Sequence, residues 1–393
     1  MTEKMLASQM RILAPIGAVH LFGAERANLE VLESLRDQGA SVMLIVRNAD
    51  YSKEFRDFVA SRGLESRAAH YLETPKPYNK TMPWIDLPVG ILRGSAAFLK
   101  IHREFKPTHI HSYSQLWVLN FLLGIALVGT PMVYRSGDAP TLHNAVWRAV
   151  WRFIIGRTTR FGAISRFLID EMGKAGVTSD RITLIYSRPP RRSVTLKAAS
   201  ASRKQKKTFN IGYMGQVTRL KGVGLLVEAF ERVVGDFPDA RLLIAGHIHE
   251  DWDGEPWGKA LKYATLAKPA IAERIEFAGF VENIPEFLTR CDVTVVPTLT
   301  EEPMGNVAME AKQAGLPSII FRSGGLKELI EHGVTGYTCP EKTVDALEAG
   351  LRFYLANRTE AKRQGLAAKA SLTALGVDDF AERWLKLYQE VVR

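Results

Sequence analysis

Residues 297–317 read PTLTEEPMGNVAMEAKQAGLP, and the rest of the chain is best read outward from them. The run Asp292 to Val296 just before is short and β-branched, as in a strand buried in a parallel sheet. Pro303 and Gly305 break the chain, and Val307 to Ala314 then has the composition of a helix closed by Gly315. Glu302 falls in the turn and Glu310 in the first turns of that helix, on the order of 10 Å further along its axis. A carboxylate accepts from two vicinal hydroxyls at once, so this spacing suits two polyols. Between the two acids, the N–H groups of Met304, Gly305 and Asn306 lie at a helix start, where unpaired donors and the dipole favour an anion. A sugar, a diphosphate and a ribose fit that order. A solvated pair of glutamates beside an ordinary helix fits the spacing equally well.

The same alternation of strand, turn and helix recurs on both sides. In the second half it predicts strands at 210–214, 242–245, 274–278, 292–296 and 318–321. Open α/β sheets bind ligands at the carboxyl ends of their strands. Those ends carry Gly215 to Gly222, Gly246-His247, Thr300 to Asn306, and Arg322 to Gly325. Lys221 opens a helix predicted over 223–234, which places its ammonium where phosphate binds. Gly324-Gly325 allows the backbone to approach a ligand closely.

In the first half, a strand at 11–16 leads through a glycine-punctuated loop, residues 17–23, to a helix at 24–38 and a strand at 41–46. Elements at 108–112, 115–128, 132–135, 145–155, 161–165, 167–175 and 182–186 continue the pattern, whereas residues 48–90 show none. The polar, cationic run RPPRRSVTLKAASASRKQKK, residues 188–207, reads as a linker or boundary. The organisation expected is a first domain over 1–190, a basic linker over 191–207, a second domain over 208–375 and a terminal helix over 376–393.

Length and composition agree with two soluble α/β domains, since 393 residues with 46% hydrophobic content support two cores. Cys291 and Cys339 are too few for a disulfide framework and read as buried free thiols in a reducing cytosol. The first fifteen residues have no apolar core segment and do not read as a secretory signal. The uncharged stretch from Ile110 to Tyr134 is divided by Pro131, and its apolar part is shorter than the roughly 20 residues a membrane span needs. The net charge of +10 is uneven: residues 1–200 carry 27 Lys and Arg against 16 Asp and Glu. A basic first half attracts polyanions, among them phosphorylated substrates and anionic lipid.

Several features have two readings. Trp147, Arg148, Trp151, Arg152, Phe153, Ile154 and Arg157 suit either a membrane interface or an ordinary amphipathic helix with its tryptophans in the core. His109 and His111 point to one face of a strand, as groups bordering a cleft or as satisfied core histidines. Asp251-Trp252-Asp253, with His247, His249 and Glu250 nearby, reads as a metal motif or, better, as a solvated loop containing Gly254 and Pro256. No Gly-x-Gly-x-x-Gly follows the opening strand of either domain, which argues against a nicotinamide dehydrogenase. No nucleic-acid-binding motif accompanies the basic half.

Glu302-Pro303-Met304-Gly305-Asn306-Val307-Ala308-Met309-Glu310-Ala311 resembles the Glu-Pro-Phe-Gly-x-Val-x-x-Glu-Ala signature of the family 4 retaining glycosyltransferases, also called glycosyl transferases group 1. Gly315-Leu316-Pro317, the Gly-Gly-x-x-Glu of Gly324 to Glu328, Gly333 to Gly336, Lys221-Gly222 and, in the first half, Gly23-Ala24-Glu25-Arg26 extend the resemblance. It implies the GT-B fold, two Rossmann-like doubly wound parallel-sheet domains facing across a cleft, with the terminal segment crossing back to the first. By the same resemblance, Glu302 faces the donor sugar, Glu310 the nucleotide ribose and Lys221 the diphosphate. The catalytic set is then Lys221, Glu302 and Arg219. Gly215, Lys221, Glu302, Met304, Gly305, Asn306, Val307 and Glu310 bind the donor, and Gly23 and Asp138 lie on the acceptor side.

The implied activity is metal-independent transfer of a hexosyl or N-acetylhexosaminyl group from a nucleotide-diphosphate sugar to a lipid-linked or glycan acceptor. Synthesis of cell-surface polysaccharide or glycolipid follows as its setting. No cofactor and no nucleic-acid partner are expected. The expected location is the cytoplasm, extending to peripheral attachment at the inner membrane face through the basic half. A nucleotide-sugar epimerase and a catalytically silent scaffold on the same fold are the alternatives. Three positions depart from the family pattern: Gln216 stands where an arginine is usual, with Arg219 three residues on; Ser187-Arg188 replaces Asn-Gly; and Gly137, next to Asp138, falls where a histidine is common.

Overall fold

Strands that mostly alternate with helices pair parallel in two separate sheets. The structure is a computed structural model describing residues 5–19, 23–72, 86–189, 208–248 and 256–391. It falls into two compact units, Met1–Pro190 with Asp378–Arg393, and Arg191–Val377. The linker expected over 191–207, the Asp251-Trp252-Asp253 loop, His249, Glu250 and the tip of the first glycine loop, residues 20–22, lie outside the described residues.

The first unit contains β1 (Arg11–Ile16), β2 (Ser41–Arg47), β3 (Glu65–Ala69), β4 (His109–Ser112), β5 (Met132–Ser136), β6 (Thr158–Ala163) and β7 (Ile182–Leu184), in the order β3-β2-β1-β4-β5-β6-β7. The chain order reverses between β1 and β4, which makes their carboxyl ends the natural ligand crevice. The second unit contains β8 (Phe209–Met214), β9 (Ala240–Ala245), β10 (Ile275–Gly279), β11 (Val293–Val296), β12 (Ser318–Phe321) and β13 (Gly336–Cys339), in the order β10-β9-β8-β11-β12-β13. Here the reversal falls between β8 and β11.

Departures from the expected elements have local causes. The helix expected over 115–128 breaks at Phe121 into Gln115–Asn120 and Leu122–Leu127. Asn120, at the break, is committed sideways: its Oδ1 accepts from the Leu72 N–H at 2.7 Å and its Nδ2 donates to the His70 carbonyl at 3.1 Å. The unreadable stretch contains β3, an edge strand of mostly solvent-facing polar residues with no apolar alternation, and the start of the helix Asp86–Phe105. β13 is short and only half apolar. Of the two cysteines, Cys339 sits on β13, but Cys291 lies ahead of β11 rather than on a strand.

Both thiols are buried, and burial pushes Cys339 up to about 12. A maleimide should therefore label neither cysteine in the native protein and both in denaturant. Rapid native labelling, read by mass spectrometry, would contradict the packing of Cys291 under Gly212, where an added Cβ would meet its Sγ at 2.5 Å.

The terminal helix Phe380–Gln389 belongs to the first unit. Phe380, Trp384, Leu387 and Tyr388 join the core of that sheet. Trp384 covers Gly162 so closely that a Cβ there would lie 2.4 Å from its ring. His109 and His111 are both buried beneath this helix. His109 Nε2 faces the Tyr388 carbonyl at 3.1 Å, and His111 bridges the Tyr388 hydroxyl at 2.6 Å and Asn28 Oδ1 at 3.0 Å. These histidines are core ties, which selects that reading over a cleft-bordering one.

On the helix Ala145–Arg157, Val150, Trp151 and Ile154 face inward, and the Trp151 Nε1–H donates to the Ala175 carbonyl at 3.0 Å. Arg148 and Arg152 face solvent. Trp151 is thus core, while Trp147 and Phe153 stay half-buried beside the outward cations. Among the described residues, no helix is long and apolar enough to cross a membrane.

Candidate active site

In the second unit, the loops after β8 and β11 meet at the topological switch point. β8 is followed by Gly215, whose φ of +151° suits a residue without Cβ as the chain turns off the sheet. The 3-10 turn Arg219–Lys221 follows, closed by Gly222 at φ +70°. Gly222 is held against the other loop, since a Cβ on it would lie 1.9 Å from the Pro297 carbonyl oxygen. The Leu299 N–H donates to the Leu220 carbonyl at 2.9 Å and completes the junction.

That junction brings the chemistry together. The Lys221 Nζ donates to Glu302 Oε2 at 2.8 Å, across 81 residues of sequence. Both side chains stay partly open to solvent, at 35% and 20%. Tyr213, on β8 beneath them, is pushed up by burial and further by the charge of Glu302, so it stays a neutral phenol. Its hydroxyl donates to the Gln216 carbonyl at 2.7 Å and fixes the loop.

Gly305, at φ +93°, is the N-cap of the helix Asn306–Gln313. The amides of Gly305, Asn306 and Val307 precede the helix's first backbone bond, from Ala308 N–H to the Gly305 carbonyl at 3.0 Å. Met304 is buried and anchors the turn, Val307 packs into the core below, and Glu310 sits half-buried one turn into the helix. Arg219 is exposed at the start of the same turn as Lys221. In the other unit, Gly23 opens the helix Gly23–Asp37 after β1, and Asp138 follows β5 at the surface.

Gly324-Gly325 has a different task from the one expected. The space over Gly324 is filled by protein backbone, because a Cβ there would lie 2.2 Å from the Glu302 carbonyl oxygen. Gly325 N–H donates to that carbonyl at 2.8 Å, and the Glu302 N–H donates to Ser323 Oγ at 3.1 Å. The glycine pair therefore positions the loop that carries Glu302. Burial pushes the Glu301 carboxyl up, but the Gly324 N–H and the Lys342 ammonium outweigh it and hold the group below its usual range. Sequence reasoning passed over Glu301, Ser323, Lys342 and Tyr213; the doubled acid before Pro303 was the available signal for the first.

The two departures that lie in the first unit, at Gly137 and at Ser187-Arg188, meet through Arg135. A Cβ on Gly137 would lie 2.9 Å from Arg135 Nη1, so the arginine occupies the space a side chain there would need. Arg135 Nη2 donates to Ser187 Oγ at 2.9 Å. Arg188 pairs with Glu30, donates to Ser34 Oγ at 3.0 Å and stacks 4.7 Å above Phe380.

Residues 196–371 match the profile of the family "Glycosyl transferases group 1", and residues 23–187 match "Glycosyltransferase Family 4". The chain belongs to this family of GT-B glycosyltransferases. It is 29% identical over 220 residues to the N-acetyl-alpha-D-glucosaminyl L-malate synthase of Bacillus anthracis, covering 54% of this chain and 53% of that one. The chain thus spans about half the length of that relative. It is 23% identical over 385 residues to the phosphatidyl-myo-inositol mannosyltransferase of Mycobacterium tuberculosis, covering 94% and 93%. The structure of Anabaena HepE in complex with UDP-glucose superposes with a TM-score of 0.78 at 18% identity, covering 97% of this chain and 100% of that one.

Proposed function

We propose that the chain is a retaining, metal-independent glycosyltransferase. The second unit binds a nucleotide-diphosphate sugar, and a hexosyl or N-acetylhexosaminyl group passes to a glycan or lipid-linked acceptor held by the first. The observation that carries this reading is the Lys221–Glu302 pair at 2.8 Å beside the helix start at Gly305. It sets a cation and amides for a diphosphate next to a carboxylate for sugar hydroxyls. A fold neighbour crystallised with UDP-glucose supports a nucleotide sugar as donor.

The difficult step is breaking the bond between the anomeric carbon and the diphosphate oxygen. Positive charge develops on the sugar and negative charge on the departing oxygen. Donors already aimed at that oxygen lower the barrier without reorganising. Lys221 and the Gly305 and Asn306 amides meet it, with Arg219 adding charge, while Glu302 orients the sugar and Glu310 the ribose. The acceptor hydroxyl then bonds to the same face of the anomeric carbon, and its proton goes to the departing phosphate oxygen. Because cation and amides already meet the phosphate charge, transfer should persist in a chelator.

Synthesis of a cell-surface polysaccharide or glycolipid, at or near the inner membrane face, is the setting this acceptor class implies. The test is a thermal-shift panel of nucleotide sugars, since a bound ligand raises stability. A hit should be followed by a transfer assay with the product anomer read by NMR. Release of an epimer without acceptor would replace transfer with epimerisation, and a panel with no hit would leave a silent scaffold.

A further inference from the structure

The carboxyl edge of the first sheet holds a buried cation that the donor chemistry does not use. Arg135, on β5, is 2% exposed. Among the described residues its guanidinium makes one hydrogen bond, to the neutral Ser187 hydroxyl, and no carboxylate lies within ion-pair distance of it. Burial lowers its pKa to about 10, with Asp138 and Tyr113 opposing, so it stays charged near neutral pH. A guanidinium taken from water this completely is strongly disfavoured unless an anion and further acceptors answer it.

The other deeply buried arginines of this unit are answered. Arg188 pairs with Glu30, and Arg47 donates to the Gly17 and Leu72 carbonyls at 3.1 Å each. Arg135 differs in its neighbour as well. The residue beside Nη1 is Gly137, half-buried and without a side chain. The cation thus lies one backbone layer below the surface, at the strand ends where open α/β sheets take ligands. An arginine fork matches the paired oxygens of a phosphoryl or carboxyl group.

We infer that the acceptor carries an oxyanion and that Arg135 grips it past Gly137. This rests on the reading that the first unit holds the acceptor. Arg135 then selects among acceptors by charge, and the exposed carboxylate of Asp138 is the group an incoming anion displaces from its field.

The probe is inorganic phosphate, titrated against the full chain at constant ionic strength and read by thermal shift. Lys221→Ala is used as background so that phosphate at the donor loop contributes less, and the dependence on Arg135 separates what remains. This protein should still be stabilised saturably by phosphate, and adding Arg135→Gln should weaken that binding at least tenfold. If Arg135→Gln does not fold, Gly137→Ala keeps the charge, places a methyl against Nη1 and should also weaken binding. Glycerol 3-phosphate and vesicles containing phosphatidic acid separate the sources. Arg135-dependent binding of the first marks a soluble phosphorylated acceptor, and Arg135-dependent flotation with the second a lipid headgroup.

Phosphate binding that is absent in the Lys221→Ala protein, or is untouched by both Arg135→Gln and Gly137→Ala, overturns the proposal. Nucleotide-sugar binding by the single Arg135→Gln variant is read separately. Its survival shows that loss of the anion site is not loss of the donor site, and a wild-type chain that binds no nucleotide sugar defeats the transferase reading alone.

Discussion

Replacing Lys221 with alanine should lower the rate of sugar transfer by two to three orders of magnitude and leave the fold intact. The rate effect is that of removing a preorganised donor from a developing oxyanion, about 3 to 4 kcal/mol. Stability moves little because the Lys221–Glu302 pair is partly solvated, and such pairs contribute about 0 to 1 kcal/mol. Lys221→Arg should recover only part of the rate, since a planar fork does not reproduce a compact ammonium at 2.8 Å from Glu302. Glu302→Ala should lower turnover as well, by releasing the sugar from its orientation.

The double variant separates two roles for the lysine. If Lys221 acts only by holding Glu302, then Lys221→Ala with Glu302→Ala is no worse than Glu302→Ala alone. If the ammonium meets the departing phosphate, the double variant is slower than either single one. Turnover and donor affinity for the three proteins decide the matter. Near-normal transfer by both single variants would remove these residues from the site.

The second-unit site was legible because its chemistry is compressed into one continuous stretch. A carboxylate, a helix-starting glycine and a second carboxylate between Glu302 and Glu310 constrain one another locally. The partner at Lys221 was reachable because strand ends of a parallel sheet share an edge, so the alternation of elements placed two loops together without coordinates. What holds Glu302 in place was not legible. Ser323 and Gly325 grip its backbone, and a serine or glycine at a strand end carries no signal distinguishing a ligand contact from a protein one.

The first unit was harder for the same reason in a stronger form. Arg135, Gly137 and Ser187 gain meaning only through a meeting across 52 residues of sequence. Alone, Gly137 and Ser187 read as departures from a family pattern, and Arg135 reads as one residue of a strand. β3 was missed because an edge strand that packs only its last residue need not alternate. The histidines were ambiguous because alternation fixes which face a side chain takes, whereas their partner, Tyr388, arrives from the far end of the chain.

That arrival has a consequence in acid. The tie at His111 needs a neutral imidazole. The Asn28 amide is oriented by its own Nδ2–H to the Ala24 carbonyl at 2.8 Å, so its Oδ1 accepts from His111 Nε2–H and the opposite ring nitrogen accepts from Tyr388. Burial pushes His111 down to about 3, with the charge of Arg135 adding to it, and pushes His109 down to about 4 against the Tyr388 carbonyl. In the unfolded chain both titrate near about 6.5. Between those values the unfolded state binds more protons than the native one, so stability is complete above the unfolded pKa and falls as pH drops through it. The two histidines together should remove about 4 kcal/mol between pH 7.5 and pH 5. Above pH 5 the carboxylates stay mostly ionised, so denaturant midpoints across this window report the imidazoles, including His102, whose pKa burial also lowers. His111→Gln, which keeps a hydrogen-bonding side chain without the titration, should lose about half of that pH dependence. A slope identical to wild type would mean that the terminal helix is not held through a neutral imidazole, and that the contact between His111 and Tyr388 does not set the acid limit of this unit.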